Sequence, residues 1–217
     1  MTFARQALAV AAKDVRIEVR GRYGAGTALP FAATVLIAFG LALGPGRTLL
    51  RQTAPGLLWM ATLFAAVLSF RRSFEAEGED GALEGLLLAP VDKAAAVALQ
   101  LLVLEVAIVL MVSALFDLSF AADVWVLAAA LLLGTVGLAA VGSLFGVLAE
   151  SPRAREAVFP LLVLPLVTPV LLAGVRSTAL AVAGLGSQAG SWLGLLIAFD
   201  AVFLAAGTLV FEHLMED

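Results

Sequence analysis

Two acidic side chains stand alone in apolar surroundings. Glu105 lies within Leu101-Leu102-Val103-Leu104-Glu105-Val106-Ala107-Ile108, and Asp200 within Leu195-Leu196-Ile197-Ala198-Phe199-Asp200-Ala201-Val202. An ionised carboxylate is expensive in such a setting unless it is paired, and no basic residue is expected inside any of the apolar segments. Two uses compete. In the structural one, each is a neutral acid hydrogen-bonded between helices. In the functional one, each is a conformational or proton-linked element. Gln100, Ser113 and Thr208 share their segments and are candidate polar neighbours. A reading from another class is an intramembrane enzyme that uses Glu105 and Asp200 as an acid pair. It would want a third convergent polar group, and the sequence offers none.

Other chemistry is poorly supplied. The chain has no cysteine, so disulfides, thiolate metal sites and covalent c-type haem attachment are excluded. His213 is the only histidine, and a surface histidine is the simplest account of it. Met111 or Tyr23 could in principle ligate haem iron, with nothing further to recommend them. No G-x-x-x-x-G-K-[ST] is present, and the only lysines, Lys13 and Lys93, follow Ala12 and Asp92. The chain is therefore not expected to hydrolyse ATP. A net charge of −4 gives no reason to expect nucleic-acid binding.

The elements that carry these residues belong in a membrane. The 217-residue chain is 62% hydrophobic and 14% charged, against about 45–50% and 25% in soluble domains. Six apolar stretches are expected to be transmembrane helices, at about 27–44, 55–70, 94–116, 124–149, 157–175 and 192–211. Each approaches the ~20 residues that cross a bilayer as a helix. The fold class is all-α, a single polytopic transmembrane domain over 1–217. With both termini cytoplasmic, that side carries Arg5, Lys13, Arg16, Arg20, Arg22, Arg71, Arg72, Lys93, Arg153 and Arg155. The other carries Arg47, Arg51 and Arg176. Ten against three follows the positive-inside rule. Within residues 1–22, Arg5, Lys13, Arg16 and Arg20 share an arc of about 80° at 100° per residue. This is expected to be an amphipathic helix lying in the cytoplasmic interface. A signal peptide is the alternative, but the charged region is too long and no A-x-A site follows the first apolar stretch.

Within the spans, Pro55-Gly56 is expected to open the second helix. Trp59, Trp125 and Trp192 are expected near helix ends at the lipid interface. Gly134, Gly142 and Gly146 form a stripe with Thr135, Ala139 and Ser143 beside it, the pattern that lets helices approach closely. Pro160, Pro165 and Pro169 are expected to break or kink the fifth helix. Such a helix is expected to be buried in the bundle, where neighbours can satisfy the freed carbonyls.

The longest expected cytoplasmic connection is 71–93. Asp80 can cap a short helix, Glu84 favours its positive end, and Leu83, Leu86 and Leu87 give it one apolar face that ends at Pro90. An apolar face in water needs a partner. Acidic neighbours disfavour the surface of an anionic bilayer, so a protein partner is favoured over a helix folded back on the membrane.

These stretches carry a resemblance. Gly44-Pro45, Ala54-Pro55-Gly56-Leu57-Leu58-Trp59, Arg72-Ser73-Phe74-Glu75, Glu79-Asp80-Gly81-Ala82-Leu83-Glu84-Gly85-Leu86-Leu87-Leu88-Ala89-Pro90, Leu132-Leu133-Gly134-Thr135 and Leu161-Leu162-Val163-Leu164-Pro165-Leu166-Val167-Thr168-Pro169 together resemble the CcmB family of haem exporter permeases. The acidic loop with its Leu-Pro ending is the most specific of them. The resemblance implies the membrane subunit of an ABC transporter in cytochrome c maturation, located in the bacterial inner membrane and working as a dimer. It implies that ATP is bound by a separate subunit, CcmA, which docks on a short cytoplasmic coupling helix. It further implies a complex with CcmC and CcmD that acts on the haem chaperone CcmE, with haem as cargo and no cofactor bound directly. On this reading the coupling residues are Phe74, Glu75, Glu79, Asp80, Gly81, Leu83, Glu84, Leu86, Leu87 and Pro90. A non-transporting assembly scaffold is the alternative within the membrane class.

Overall fold

The structure is a computed structural model. It describes the backbone of residues 25–80, 90–120, 122–148 and 152–216, and the side chains of 28–70, 97–120, 122–144 and 163–209. All longer regular elements among them are α-helices: α1 (Ala25–Leu43), α2 (Arg47–Asp80), α3 (Pro90–Phe116), α4 (Val124–Leu148), α5 (Pro152–Val182) and α6 (Gly190–Glu216), with a 3-10 turn at Gly186–Gln188. Five apolar spans are long enough to cross a membrane: Arg47–Phe70, Val97–Phe116, Val124–Leu144, Val163–Val182 and Gly190–Leu209. The apolar part of α1, Ala28–Leu43, is shorter. The expected amphipathic helix over 1–22 and Tyr23 lie outside the described residues.

Short turns alternate the direction of the helices. Gly44, at φ +75°, ends α1 with its N–H donating to the Leu41 carbonyl at 3.2 Å. Glycine reaches this left-handed backbone without penalty. The Leu50 N–H bonds the Gly46 carbonyl at 3.1 Å, so the next helix starts at once. Hence Pro55 does not open α2. It sits nine residues in, where it is buried.

At the other end α2 overruns its apolar span. It runs 34 residues, about 51 Å at 1.5 Å per residue, and stays helical for the ten residues after Phe70. That segment holds three Glu and two Arg, which favour helix, and no proline. The expected loop over 71–93 is therefore partly helix. Asp80 is the last residue of α2, the short helix expected to follow it lies outside the described residues, and Pro90 is the first residue of α3, where its missing N–H is no loss.

α5 also differs from expectation. It is one continuous 31-residue helix through Pro160, Pro165 and Pro169, neither broken nor enclosed. Pro165 and Thr168 are exposed on one side while Val163, Val167 and Val170 are buried on the other. A helix in lipid has no water to compensate a break, so the ladder persists around each proline. α5 also extends seven residues beyond the expected end, which places Arg176 inside it and exposed. The expectation that no base lies within a helix fails there, and again at Arg47 and Arg51 in the first turns of α2.

α4 packs against α3, α5 and α6, while α2 packs against α1, α3 and α5 and more lightly against α4. α6 is peripheral, touching only α4, α5 and the 3-10 turn among the stronger packings. Its outward side, including Leu195, Ile197, Val202, Leu204 and Leu209, is exposed, as suits a lipid-facing helix.

Candidate functional site

The two acids are buried within this bundle. Glu105 is 1% exposed and Asp200 5%. Thr135 of α4 donates its hydroxyl to Glu105 Oε2 at 2.8 Å. Asp200 of α6 lies against Gly137 of α4, where a methyl group built on the glycine would sit 2.8 Å from Oδ1. Positions 135 and 137 point about 200° apart around a helix. α4 therefore stands between the two carboxyl groups, with one on each side. The geometry does not bring Glu105 and Asp200 together as an acid pair.

Among the described residues the buried polar side chains are Thr62, Ser69, Glu105, Thr135, Ser177, Thr178 and Asp200. Thr62 Oγ1, Ser177 Oγ, Glu105 Oε1 and both Asp200 carboxyl oxygens have no hydrogen-bond partner. Buried polar groups are nearly always satisfied, so these atoms mark the part of the bundle where protein packing alone is incomplete. The neighbours expected from sequence are elsewhere. The Ser113 hydroxyl donates to the Leu118 carbonyl at 2.7 Å, and the Thr208 hydroxyl to that of Ala205 at 2.9 Å. Gln100, half-buried, points about 140° away from Glu105 around α3.

Trp59 corrects another expectation. It is fully buried, far from any interface, because α2 begins twelve residues earlier than Trp59. Its indole N–H donates to Thr178 Oγ1 at 3.0 Å. A methyl on Gly134 of α4 would fall 2.2 Å from its Cη2, and one on Gly174 of α5 2.3 Å from its Cε2. The ring is thus clasped between two glycines. Phe70 fills the same role one level down, its ring 2.3 Å from where a Gly142 methyl would be. The glycine stripe of α4 therefore receives aromatic rings from α2 instead of a neighbouring backbone. Trp125 is 84% exposed at the start of α4, as expected of an interfacial ring, and Trp192 is partly buried against the core.

The loops at one end are tied together. Asp117, at φ +51°, ends α3 in the left-handed conformation, with the Leu118 N–H bonded to the Ser113 carbonyl at 3.1 Å. Its carboxylate accepts from Arg51 Nη2 at 2.9 Å and lies 4.0 Å from Arg47 Nη1. Asp123 accepts from the Gly186 N–H at 2.9 Å, and its own carbonyl accepts from Val126 and Leu127 at the start of α4.

Of the expected coupling residues, Phe74, Glu75, Glu79 and Asp80 fall in the last two turns of α2, and Pro90 opens α3. Gly81, Leu83, Glu84, Leu86 and Leu87 lie outside the described residues. His213 falls in the last turns of α6. Sequence reading missed Thr135 and Gly137 as the acids' neighbours. A signal for the first was present. Glu105 lies eleven residues before the end of α3 and Thr135 eleven after the start of α4, so an antiparallel hairpin sets them at one depth.

The sequence model of the family described as CcmB protein matches residues 5–216. The chain is 34% identical over 209 residues to heme exporter protein B of Haemophilus influenzae, covering 93% of this chain and 92% of that one. It is 35% identical over 206 residues to heme exporter protein B of Paracoccus denitrificans, covering 91% and 88%. It is 35% identical over 195 residues to the protein of that name from Pseudomonas aeruginosa, covering 86% and 87%. No solved structure matches the chain.

Proposed function

The chain belongs to the CcmB protein family, and from that premise we propose that it is the permease subunit of an ABC transporter complex in cytochrome c biogenesis. It is not itself an enzyme. It couples ATP hydrolysis on a partner subunit to haem export or to release of a haem-loaded chaperone. In this reading it sits in the inner membrane as a homodimer, with six spanning helices and both termini cytoplasmic. Its partners are an ATPase of the CcmA type together with CcmC, CcmD and the chaperone CcmE. Haem is cargo of the complex, and ATP is bound by the partner.

The observation that carries this reading beyond the family name is the overrun of α2. A spanning helix that continues ten residues past its apolar part delivers the acidic segment about 15 Å clear of the hydrocarbon. The stretch 81–89 then follows with Leu83, Leu86 and Leu87. That suits a surface which receives force from a soluble ATPase. An acid-pair enzyme is disfavoured, because α4 separates the two carboxyl groups. A pure assembly scaffold is the remaining alternative.

The test is Leu83→Ala/Leu87→Ala. Burial of a leucine in an interface is worth roughly 1.5–3 kcal/mol, so loss of two should weaken ATPase docking by about 100-fold or more. Membrane levels should be unchanged. Co-purification and stimulated ATP hydrolysis should both fall, and wild-type values of both would refute coupling through this segment. A scaffold would instead retain its function with a hydrolysis-dead ATPase partner.

A further inference from the structure

We infer that the exposed face of α5 around Arg176 is a subunit interface within the membrane. The face fits a transmembrane helix of a different chain that carries a carboxylate opposite Arg176. This deepens the proposed complex by naming a surface and the chemistry of its partner. It rests on that reading in one respect, that the chain works with other membrane subunits.

The face is defined by α5 itself. Pro165, Pro169, Leu172 and Arg176 share an arc of about 60° at 100° per residue, and Thr168 adds about 40° to it. Pro165, Thr168, Leu172 and Arg176 are exposed, and Pro169 is half-buried. Val163, Val167, Val170, Ser177 and Thr178 are buried on the opposite side, where α5 meets its own bundle.

This surface suits acyl chains poorly. Pro169 has no N–H to give the Pro165 carbonyl, and Pro165 has none to give that of Leu161. The Thr168 hydroxyl bonds the Leu164 carbonyl at 3.1 Å and so serves neither. A carbonyl that loses its helical donor is tolerated at membrane depth where a neighbouring helix supplies another. On this side of α5 the chain supplies no neighbour.

Arg176 points the same way. It lies six residues before the end of the apolar span Val163–Val182, about 9 Å inside it at 1.5 Å per residue. Arg47 and Arg51, the other described bases, meet Asp117, whereas Arg176 has no ion pair or hydrogen bond among the described residues. A base at such a position pairs with an acid, and this chain has none to give it. Glu105 and Asp200 are buried, Asp117 is held by Arg51, and Asp123 is bonded to the Gly186 N–H.

A second copy fails for the same reason. A two-fold axis along the membrane normal would set each Arg176 at the depth of its mate, so α5 packed on α5 would bring two cations together. A lipid headgroup reached by snorkelling would serve Arg176. It would leave the carbonyls of Pro165 and Leu161 unanswered, about 16 and 22 Å further along the helix. A helix of another chain answers all three at once.

The test places a photoreactive benzoylphenylalanine at Leu172 of the full-length protein, in cells that make its complex, and irradiates intact membranes. Adducts are purified through the chain and mapped by mass spectrometry. The expected adduct is to a membrane span of a different protein, within about two helical turns of an Asp or Glu. Arg176→Glu should lower its yield by about tenfold or more at unchanged membrane levels, and Arg176→Lys by less than about threefold. Reversal of the mapped acid to Arg should restore the yield with Arg176→Glu. Where Arg176→Glu does not accumulate, Arg176→Gln takes its place, with an expected loss of about fivefold or more. ATPase co-purification should survive these changes, since the α2 extension lies at the opposite end; this separates failure of the face from failure of the coupling reading. Adducts to phospholipid alone, or to a second copy of the chain, would overturn the inference. So would an adduct to another protein that Arg176→Glu leaves unchanged.

Discussion

Removal of the Trp59 ring should be the most damaging single truncation in the bundle. The ring is fully buried between Gly134 and Gly174 and bonded to Thr178. Trp→Ala in a soluble core costs ~3–5 kcal/mol. Part of that is transfer out of water, which is absent when the separated helices remain in lipid. With about half of it left, and roughly 1 kcal/mol for the lost hydrogen bond, Trp59→Ala should cost about 2.5–3.5 kcal/mol. That is a factor of ~70–400 in the folded-to-unfolded ratio. Gly134→Ala approaches the same contact from the other side. Its methyl would meet Cη2 at 2.2 Å, and neither a rigid indole nor a packed helix can give way by that much, so ~1–3 kcal/mol is expected. Phenylalanine lacks the outer ring atoms, so Trp59→Phe should relieve part of the clash. The double variant Gly134→Ala/Trp59→Phe should then be more stable than the sum of its single variants by about 1 kcal/mol or more. The assay is reversible unfolding in mixed micelles titrated with sodium dodecyl sulfate. A Gly134→Ala protein within about 0.5 kcal/mol of wild type, or strict additivity in the pair, would refute the clasp.

Three further outcomes are expected. For topology, single cysteines at Ser73→Cys and Ser151→Cys should resist an impermeant thiol reagent added to intact spheroplasts, while Thr48→Cys, exposed in the first turn of α2, should react; labelling of Ser73→Cys from outside would reverse the orientation. At Asp117, whose φ is +51°, Asp117→Gly should stay within about 0.5 kcal/mol of wild type, because glycine suits that backbone and an exposed ion pair contributes little. Asp117→Val should cost ~1–2 kcal/mol from the left-handed conformation, and equal melting temperatures for the two would contradict this. For the acids, Asp200→Asn and Glu105→Gln should accumulate in the membrane better than Asp200→Lys, because an amide brings no unpaired cation into the bundle; comparable levels by immunoblot would argue against the buried placement.

The helical class and the rough position of most spans were legible because apolar runs of this length have few other uses. α4 was read almost to the residue, since Asp123 before it and the polar break after it bound the run on both sides. The errors share a physical origin. Hydropathy marks where lipid begins and ends, whereas the backbone ladder continues for as long as no residue stops it. Hence α2 was started too late, at Pro55, because Arg47 and Arg51 looked like loop, and it was ended too early, at Phe70. α5 was ended before Arg176 for the same reason. Trp59 was misplaced as a consequence of the late start, since its depth depends on where the helix begins. The acids themselves were visible as charged residues in apolar runs. Their partners were not, because Thr135 and Gly137 gain meaning only when α3 and α6 are set on opposite sides of α4.

The distribution of polar ties bears on how such a bundle could move. At the end where α1–α2, α3–α4 and α5–α6 turn, Arg51 holds Asp117 and Asp123 holds Gly186. These link the first hairpin to the second and the second to the third. Deeper, twelve residues into α2, Trp59 is clasped by α4 and α5 through Gly134 and Gly174. α2, α4 and α5 are therefore joined within the bundle by rigid contacts that a small tilt would break. At the opposite end α2 runs on to Asp80 and α5 begins at Pro152. A displacement applied to those extensions acts on long levers whose far ends are fixed. Thr135 and Glu105 lie at the level of the Trp59 clasp, since Thr135 follows Gly134 directly along α4. If force enters through the α2 extension, the seams on either side of α4 are where it would be felt. Asp200, with no protein partner, would then respond more readily than Glu105, which Thr135 holds.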